Sequence, residues 1–273
     1  MSDNLCPMGT HITVREQLVR LQQWLAQRQS FLHVRFNDGE CAAMFRKRPP
    51  AATASGEHHF FHSVGDALLQ AFTELARQVR ADPQLRVIVG TYWSQEPNCP
   101  CAQAFSQFLD TRDLKSVIPW GPGDLWYNTE LERQHTCAGQ ELLDLFDAIR
   151  KCRSVVLVGN HTIADARHCM GARFVEVPRV DAWLQYSSLM ATCGPLAAEG
   201  AVFVWCAGFP GKVGACELWA HYPQSTHIDA GAHFDAIFGV NSRSWMQRAY
   251  KEHWAHWKFY TEQFADYVKR AIP

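Results

Sequence analysis

The sequence predicts an α/β fold, a mainly parallel sheet with helices on both faces. Three observations predict it. Short apolar runs of strand length alternate with longer segments of helical period. Gly, Pro, Asn and Asp punctuate the junctions between them. The 273 residues are 47 % apolar and 19 % charged, which excludes disorder and supports one large α/β domain or two small ones sharing a core.

The elements follow in order. Thr13-Val14-Arg15-Glu16 is a capping box, and Val14, Leu18, Leu21 and Trp24/Leu25 follow it at helical spacing. Residues 31–36 (FLHVRF) read as the first strand. Asn37-Asp38-Gly39 is turn chemistry, and residues 40–45 restart a helix. A Pro-, Ala- and Ser-rich loop covers 46–56. Ser63-Val64-Gly65-Asp66 opens a helix that runs to about Arg80, and residues 85–90 (LRVIVG) form a strand of the buried kind. A helix over 102–109, a short strand over 115–119, a loop over 121–128 and a helix over 141–150 come next. Three further units complete the pattern: strand 154–159, helix 162–170 and strand 173–177; helix 184–198 and strand 201–206; helix 212–221 and strand 226–228. A last helix starts near Ser244. The expected organisation is a single domain over 1–273, with 244–273 as a C-terminal aromatic helix.

The bulk numbers narrow the function. The formal net charge of −1 provides no global field for nucleic acid. Residues 1–17 are polar and hold no apolar targeting core, and the longest apolar stretch, 201–209, is far too short to span a bilayer, so a cytoplasmic enzyme is expected. Of the ten cysteines, Cys41, Cys152, Cys169, Cys193, Cys206 and Cys216 sit in apolar segments, where a free thiol acts as a small hydrophobe. Cys99 and Cys101 form a C-x-C without further ligands at zinc spacing.

In a parallel α/β sheet, ligands bind at the carboxyl ends of the strands. The residues after each predicted strand therefore matter most. After the first they are Arg35-Phe36-Asn37-Asp38-Gly39-Glu40. Two carboxylates, Asp38 and Glu40, flank one glycine on a turn. Mg²⁺ and Mn²⁺ prefer such oxygen ligands, and the guanidinium of Arg35 suits phosphate. The alternative is a solvated acidic turn at the start of the Glu40 helix.

RFNDGE after an N-terminal helix and strand resembles the signature of the GT-D-type glycosyltransferases, with Asn37 where that family usually has Gly. Trp205-Cys206-Ala207-Gly208-Phe209-Pro210-Gly211-Lys212-Val213 followed by His227-Ile228-Asp229-Ala230-Gly231 is similar to the family's late unit ending in I-D-x-G. The resemblance spans about 31–239. It implies a Rossmann-like, GT-D-like fold and transfer of a sugar from a nucleotide-diphosphate sugar to an acceptor hydroxyl. It further implies Mn²⁺ or Mg²⁺ held by Asp38 and Glu40 at the donor diphosphate. A glycan or glycoprotein is the expected acceptor, with a hydroxylated DNA base as the nucleic-acid alternative.

The remaining candidates rest on chemistry. The Gly- and Pro-rich loop Ala207–Lys212, with Gly208 and Gly211, precedes a helix and offers backbone N–H groups and a helix dipole to an anion, and Lys212 at the helix start adds a full charge. Asn160 and His161 follow another strand and line the expected cleft, unless Thr162 simply caps a helix. Asp124 and Trp126 combine carboxylate with an aromatic face suited to sugars and bases, or else Trp126 anchors a loop. Asp181, Asp229 and Asp235 are strand-end carboxylates, each eligible as general base. Most of the 13 histidines read as surface or core residues.

Two rival classes stay open. Gly159 with Glu176 fits a Rossmann-type methyltransferase or dehydrogenase, although the three-glycine fingerprint is missing. A non-catalytic nucleotide-binding module is the other. Met246, Tyr250, His253, Trp257, Tyr260, Phe264 and Tyr267 form an apolar stripe on the last helix, expected to pack on the core or on a second copy in a homodimer. Flanking cations make a polyanion or membrane surface the alternative.

Overall fold

The computed structural model describes residues 10–36, 40, 43–44, 61–82, 84–91, 125–128 and 139–231. The strands in chain order are β1 (Thr10–His11), β2 (Leu32–Phe36), β3 (Val87–Thr91), β4 (Leu125–Asn128), β5 (Val155–Gly159), β6 (Arg173–Glu176), β7 (Val202–Cys206) and β8 (Thr226–Asp229). They form one sheet in the order β1-β4-β3-β2-β8-β7-β5-β6, and every pairing is parallel. The predicted α/β class is therefore correct at this level.

The helices are α1 (Val14–Ala26), α2 (Phe61–Ala81), α3 (Gly139–Arg150), α4 (Ala166–Met170), α5 (Tyr186–Ala198) and α6 (Gly208–His221). Glu40, Ala43 and Met44 are helical positions after β2. The strands sort the helices into two layers. On one face Val34, Phe36, Val156, Val158, Phe203 and Trp205 pack with α2, α5 and α6. On the other Phe31, Val155, Leu157, Val202 and Val204 pack with α1, α3 and α4. Both faces are covered, which is why β5 and β7 are apolar throughout.

Strand connections define the ligand-binding geometry. From β5 the chain passes through α4 to β6, on one side of it; from β7 it passes through α6 to β8, on the other. Connections leaving adjacent strands in opposite directions open a crevice at their carboxyl ends. Next to this crevice, β8 adjoins β2.

Several boundaries differ from the sequence reading. Residues 125–128, read as loop, form β4, and Thr10–His11 form a strand that the sequence did not signal. Gly121-Pro122-Gly123 masks so short a strand. The predicted helix 162–170 is a 3₁₀ turn, His161–Ile163, followed by α4. The helix 184–198 is likewise preceded by a 3₁₀ turn, Ala182–Gln185. Helix α6 begins at Gly208, not Lys212, because Pro210 lies in the first turn, where its missing N–H has no intrahelical partner to lose. The predicted elements at 102–109 and 115–119 and the aromatic helix at 244–273 lie outside the described residues. Among the described residues, no helix is long and apolar enough to cross a membrane.

Candidate functional site

Four charged side chains from four segments meet at the carboxyl edge of the sheet. Arg35 lies near the end of β2, and Asp229 ends the adjacent β8. Glu40 follows β2, and Lys212 sits in the early turns of α6.

Asp229 is the hub. Its Oδ2 accepts from the Arg35 backbone N–H at 3.0 Å, and its Oδ1 accepts from Arg35 Nη2 at 3.2 Å. Lys212 Nζ lies 3.2 Å from Asp229 Oδ2 and 3.2 Å from Glu40 Oε1. The relative exposures are 3 % for Arg35, 7 % for Glu40, 5 % for Lys212 and 3 % for Asp229. Two cations and two carboxylates thus balance inside the protein. Removing one member of such a set leaves an uncompensated buried charge, at a cost of about 3–5 kcal/mol.

The charges hold one another in place. Burial pushes the Asp229 carboxyl up, but Arg35 and Lys212 outweigh it and hold the group well below the usual carboxylate range. Burial pulls Lys212 down, but Asp229 and Glu40 outweigh it and raise the ammonium above its ordinary value. Asp229, ionised and engaged at both oxygens, is a weak base. Lys212 is enclosed by carboxylates and is not presented to an anion in solvent.

The spacing of Asp229 and Gly231 has a steric cause. A Cβ at Gly231 would fall 1.8 Å from Arg35 Nη2, and the residue has φ +50°. Asp229 holds the guanidinium and Gly231 leaves room for it.

The loop before α6 is shaped by helix–strand packing. Gly208, with φ +60°, turns the chain from β7 into the helix and is exposed. The N-cap residue of α6, Ala207, makes no side-chain cap. Gly211 faces inward: a Cβ there would meet the Ala207 Cβ at 3.1 Å and Trp205 Cε3 at 3.4 Å. This glycine serves close helix–strand packing.

Other predicted residues are not brought to this cluster. Asn160 caps the 3₁₀ turn, accepting from Thr162 N at 3.0 Å and Thr162 Oγ1 at 2.5 Å. The cap is therefore Asn160 rather than Thr162, and His161 is exposed beside it. Gly159 and the exposed Glu176 are register partners on β5 and β6. Asp181 follows edge strand β6, four positions from β2 in the sheet. It is a non-glycine residue at φ +55°, and its buried Oδ1 has no hydrogen-bond partner among the described residues. Trp126 lies on β4, with its side chain outside the described residues; Asn37, Asp38, Asp124 and Asp235 lie outside them altogether. Among the described residues no group of three or more His, Cys, Asp or Glu could hold a metal ion.

Two polar side chains beside the cluster escaped the sequence reading. Gln17 Nε2 and His33 Nε2 are 3.1 Å apart and buried, and His33 adds to the field that keeps Asp229 ionised. The signal was present: His33 and Arg35 alternate with apolar residues in a strand buried on both faces, where polar side chains are unusual.

No protein-family model, curated protein or solved structure matches the chain. Fold and site define an α/β protein with a parallel sheet and a buried four-charge cluster at the strands' carboxyl ends.

Proposed function

We propose that the protein is a glycosyltransferase that moves a sugar from a nucleotide-diphosphate donor to an acceptor hydroxyl, on a glycan or glycoprotein. The observation that carries this reading is the convergence of Arg35, Glu40, Lys212 and Asp229 beside the α6 N-terminus. Both stretches resembling the GT-D-type glycosyltransferases meet there. The first N–H groups of α6, which Ala207 leaves without a side-chain cap, suit a diphosphate. The buried cluster would fix α6 and the chain after β2 relative to it.

The resemblance also implies Mn²⁺ or Mg²⁺ at Asp38 and Glu40. The described donor set does not fit a metal: Glu40 Oε1 is engaged by Lys212, and Asp38 lies outside the described residues. No step is therefore assigned to one. Asp229 is too strongly held to act as base. Asp181 has an oxygen without a partner among the described residues but follows the distant edge strand.

A second reading has its own observation. The crevice between β5 and β7, with Glu176 in register with Gly159, suits a methyl-donor or dinucleotide cofactor. One screen separates the two. Melting temperature is measured with nucleotide-diphosphate sugars, S-adenosylmethionine and NAD, each in EDTA and in Mn²⁺. A nucleotide-diphosphate sugar should stabilise the protein, and Lys212→Ala should weaken its binding indirectly, by releasing α6 from Glu40 and Asp229, not by loss of a contact to the diphosphate. Stabilisation by S-adenosylmethionine or NAD alone would replace the first reading with the second.

A further inference from the structure

The Lys212 ammonium lies between two carboxylate oxygens from different segments, at equal distances of 3.2 Å. This is ammonium–carboxylate spacing. Mg²⁺ or Ca²⁺ would require oxygens at roughly 2.0–2.6 Å, so each carboxylate would have to approach by about 1 Å. The carboxylates cannot close on a metal while the ammonium separates them. Burial makes the arrangement persistent: an exposed lysine would exchange with water, whereas Lys212 is 5 % exposed. Displacing it by a metal would leave its charge buried without a counter-charge.

We propose that Lys212 is the resident cation of the Glu40–Asp229 carboxylate pair, occupying the position of a divalent metal, so that the described site assembles without one. The inference concerns the protein free of any donor and does not rest on the glycosyl-transfer reading. The side chain supplies in covalent form what Mn²⁺ or Mg²⁺ supplies to a pair of acidic residues elsewhere: it offsets their repulsion and ties β8 to the segment after β2. The attachment of Lys212 to α6 adds a third element to the tie. A consequence is that the carboxylate pair is a latent oxygen site. Removing the ammonium, but not the carboxylates, should convert it into a true metal site.

The test uses Mn²⁺ as the probe on the full chain, read by electron paramagnetic resonance and by thermal unfolding. In the wild type, Glu40→Gln should leave Mn²⁺ binding unchanged, and EDTA should leave the melting temperature unchanged. Lys212→Ala should melt lower in EDTA, recover with added Mn²⁺, and bind Mn²⁺ about tenfold more tightly than the wild type, or better. Lys212→Ala/Glu40→Gln should lose that gain. Wild-type Mn²⁺ binding abolished by Glu40→Gln would overturn the proposal, as would a folded Lys212→Ala protein that gains no affinity. Should Lys212→Ala fail to fold even in Mn²⁺, the comparison of wild type with Glu40→Gln decides alone.

Discussion

Arg35 is fixed by two neighbours, Asp229 and Gly231, in different ways. Asp229 binds both its backbone N–H and its guanidinium, which aligns β2 with β8 just beyond the point where their ladder ends. Gly231 supplies the space that the guanidinium fills. A methyl group at position 231 meets two penalties: a left-handed backbone and a collision with Arg35. Gly231→Ala should therefore cost at least about 2 kcal/mol in urea unfolding. Arg35→Lys gives up the fork but vacates part of the space. The two substitutions should thus be non-additive, coupled by about 1 kcal/mol or more in a double-mutant cycle. Strict additivity would show that Arg35 does not occupy the space beside Gly231. The sequence made Asp229 and Gly231 visible as a motif but not this cause, because the partner lies 194 positions away.

At the scale of elements, local chemistry was legible and tertiary geometry was not. The Thr13 box is the clearest local case. Thr13 N donates to Glu16 Oε2 at 2.7 Å, and Glu16 N donates to Thr13 Oγ1 at 3.1 Å. These contacts are set within one turn, so the sequence suffices. Thr13→Ala should cost about 1 kcal/mol of stability by chemical denaturation, and Thr13→Ser almost nothing. Equal losses for the two variants would point to the methyl group and not the cap. The α6 start was misplaced for the opposite reason. Gly208-Phe209-Pro210-Gly211 has loop composition, yet Gly211 sits against Trp205 because β7 lies beneath it. The same limit affected the site. Arg35, Glu40, Lys212 and Asp229 were each identifiable as strand-end or helix-start charges. Their mutual neutralisation depends on sheet order, which placed β8 beside β2. Asn160, His161 and Asp181 satisfied the same sequence criterion, but β5 and β6 hold them on the other side of β7 and β8.

For the whole molecule, buried polar groups couple stability to pH. His227 stands beneath α6 in a stack with Phe203 and Trp205, with ring centroids 5.0 Å and 6.0 Å away. Trp205 Nε1 donates to its Nδ1 at 3.1 Å, so Nε2 carries the proton and donates to Ser225 Oγ at 2.7 Å. Ser225 Oγ in turn donates to the Tyr222 carbonyl at 2.6 Å. The imidazole has its partners only in the neutral form, and burial pushes its pKa down to about 3. In the unfolded chain the group titrates near 6.5. Between these values the unfolded state binds one more proton than the native state. His227 therefore contributes stability that is complete above about pH 6.5 and is lost, by up to about 1.4 kcal/mol per pH unit, as pH falls towards 3. Asp229, also lowered, adds a loss at the acid end, below the ordinary carboxylate range. Lys212 acts in the other direction. Its folded pKa is raised, so its contribution is full at neutral pH and disappears only on the alkaline side, beyond its ordinary value. Stability should be greatest between these limits. Between pH 7 and pH 4.5, urea unfolding reads His227 as the difference between the wild type and a His227 variant, because the Asp229 and Lys212 losses fall outside that window and His33 is common to both. The wild type should show a slope approaching one proton. His227→Gln, which preserves a donor and an acceptor, should be less stable at pH 7 but flatter by about that one proton. An unchanged slope in the variant would mean that His227 does not carry the pH dependence of stability in this window.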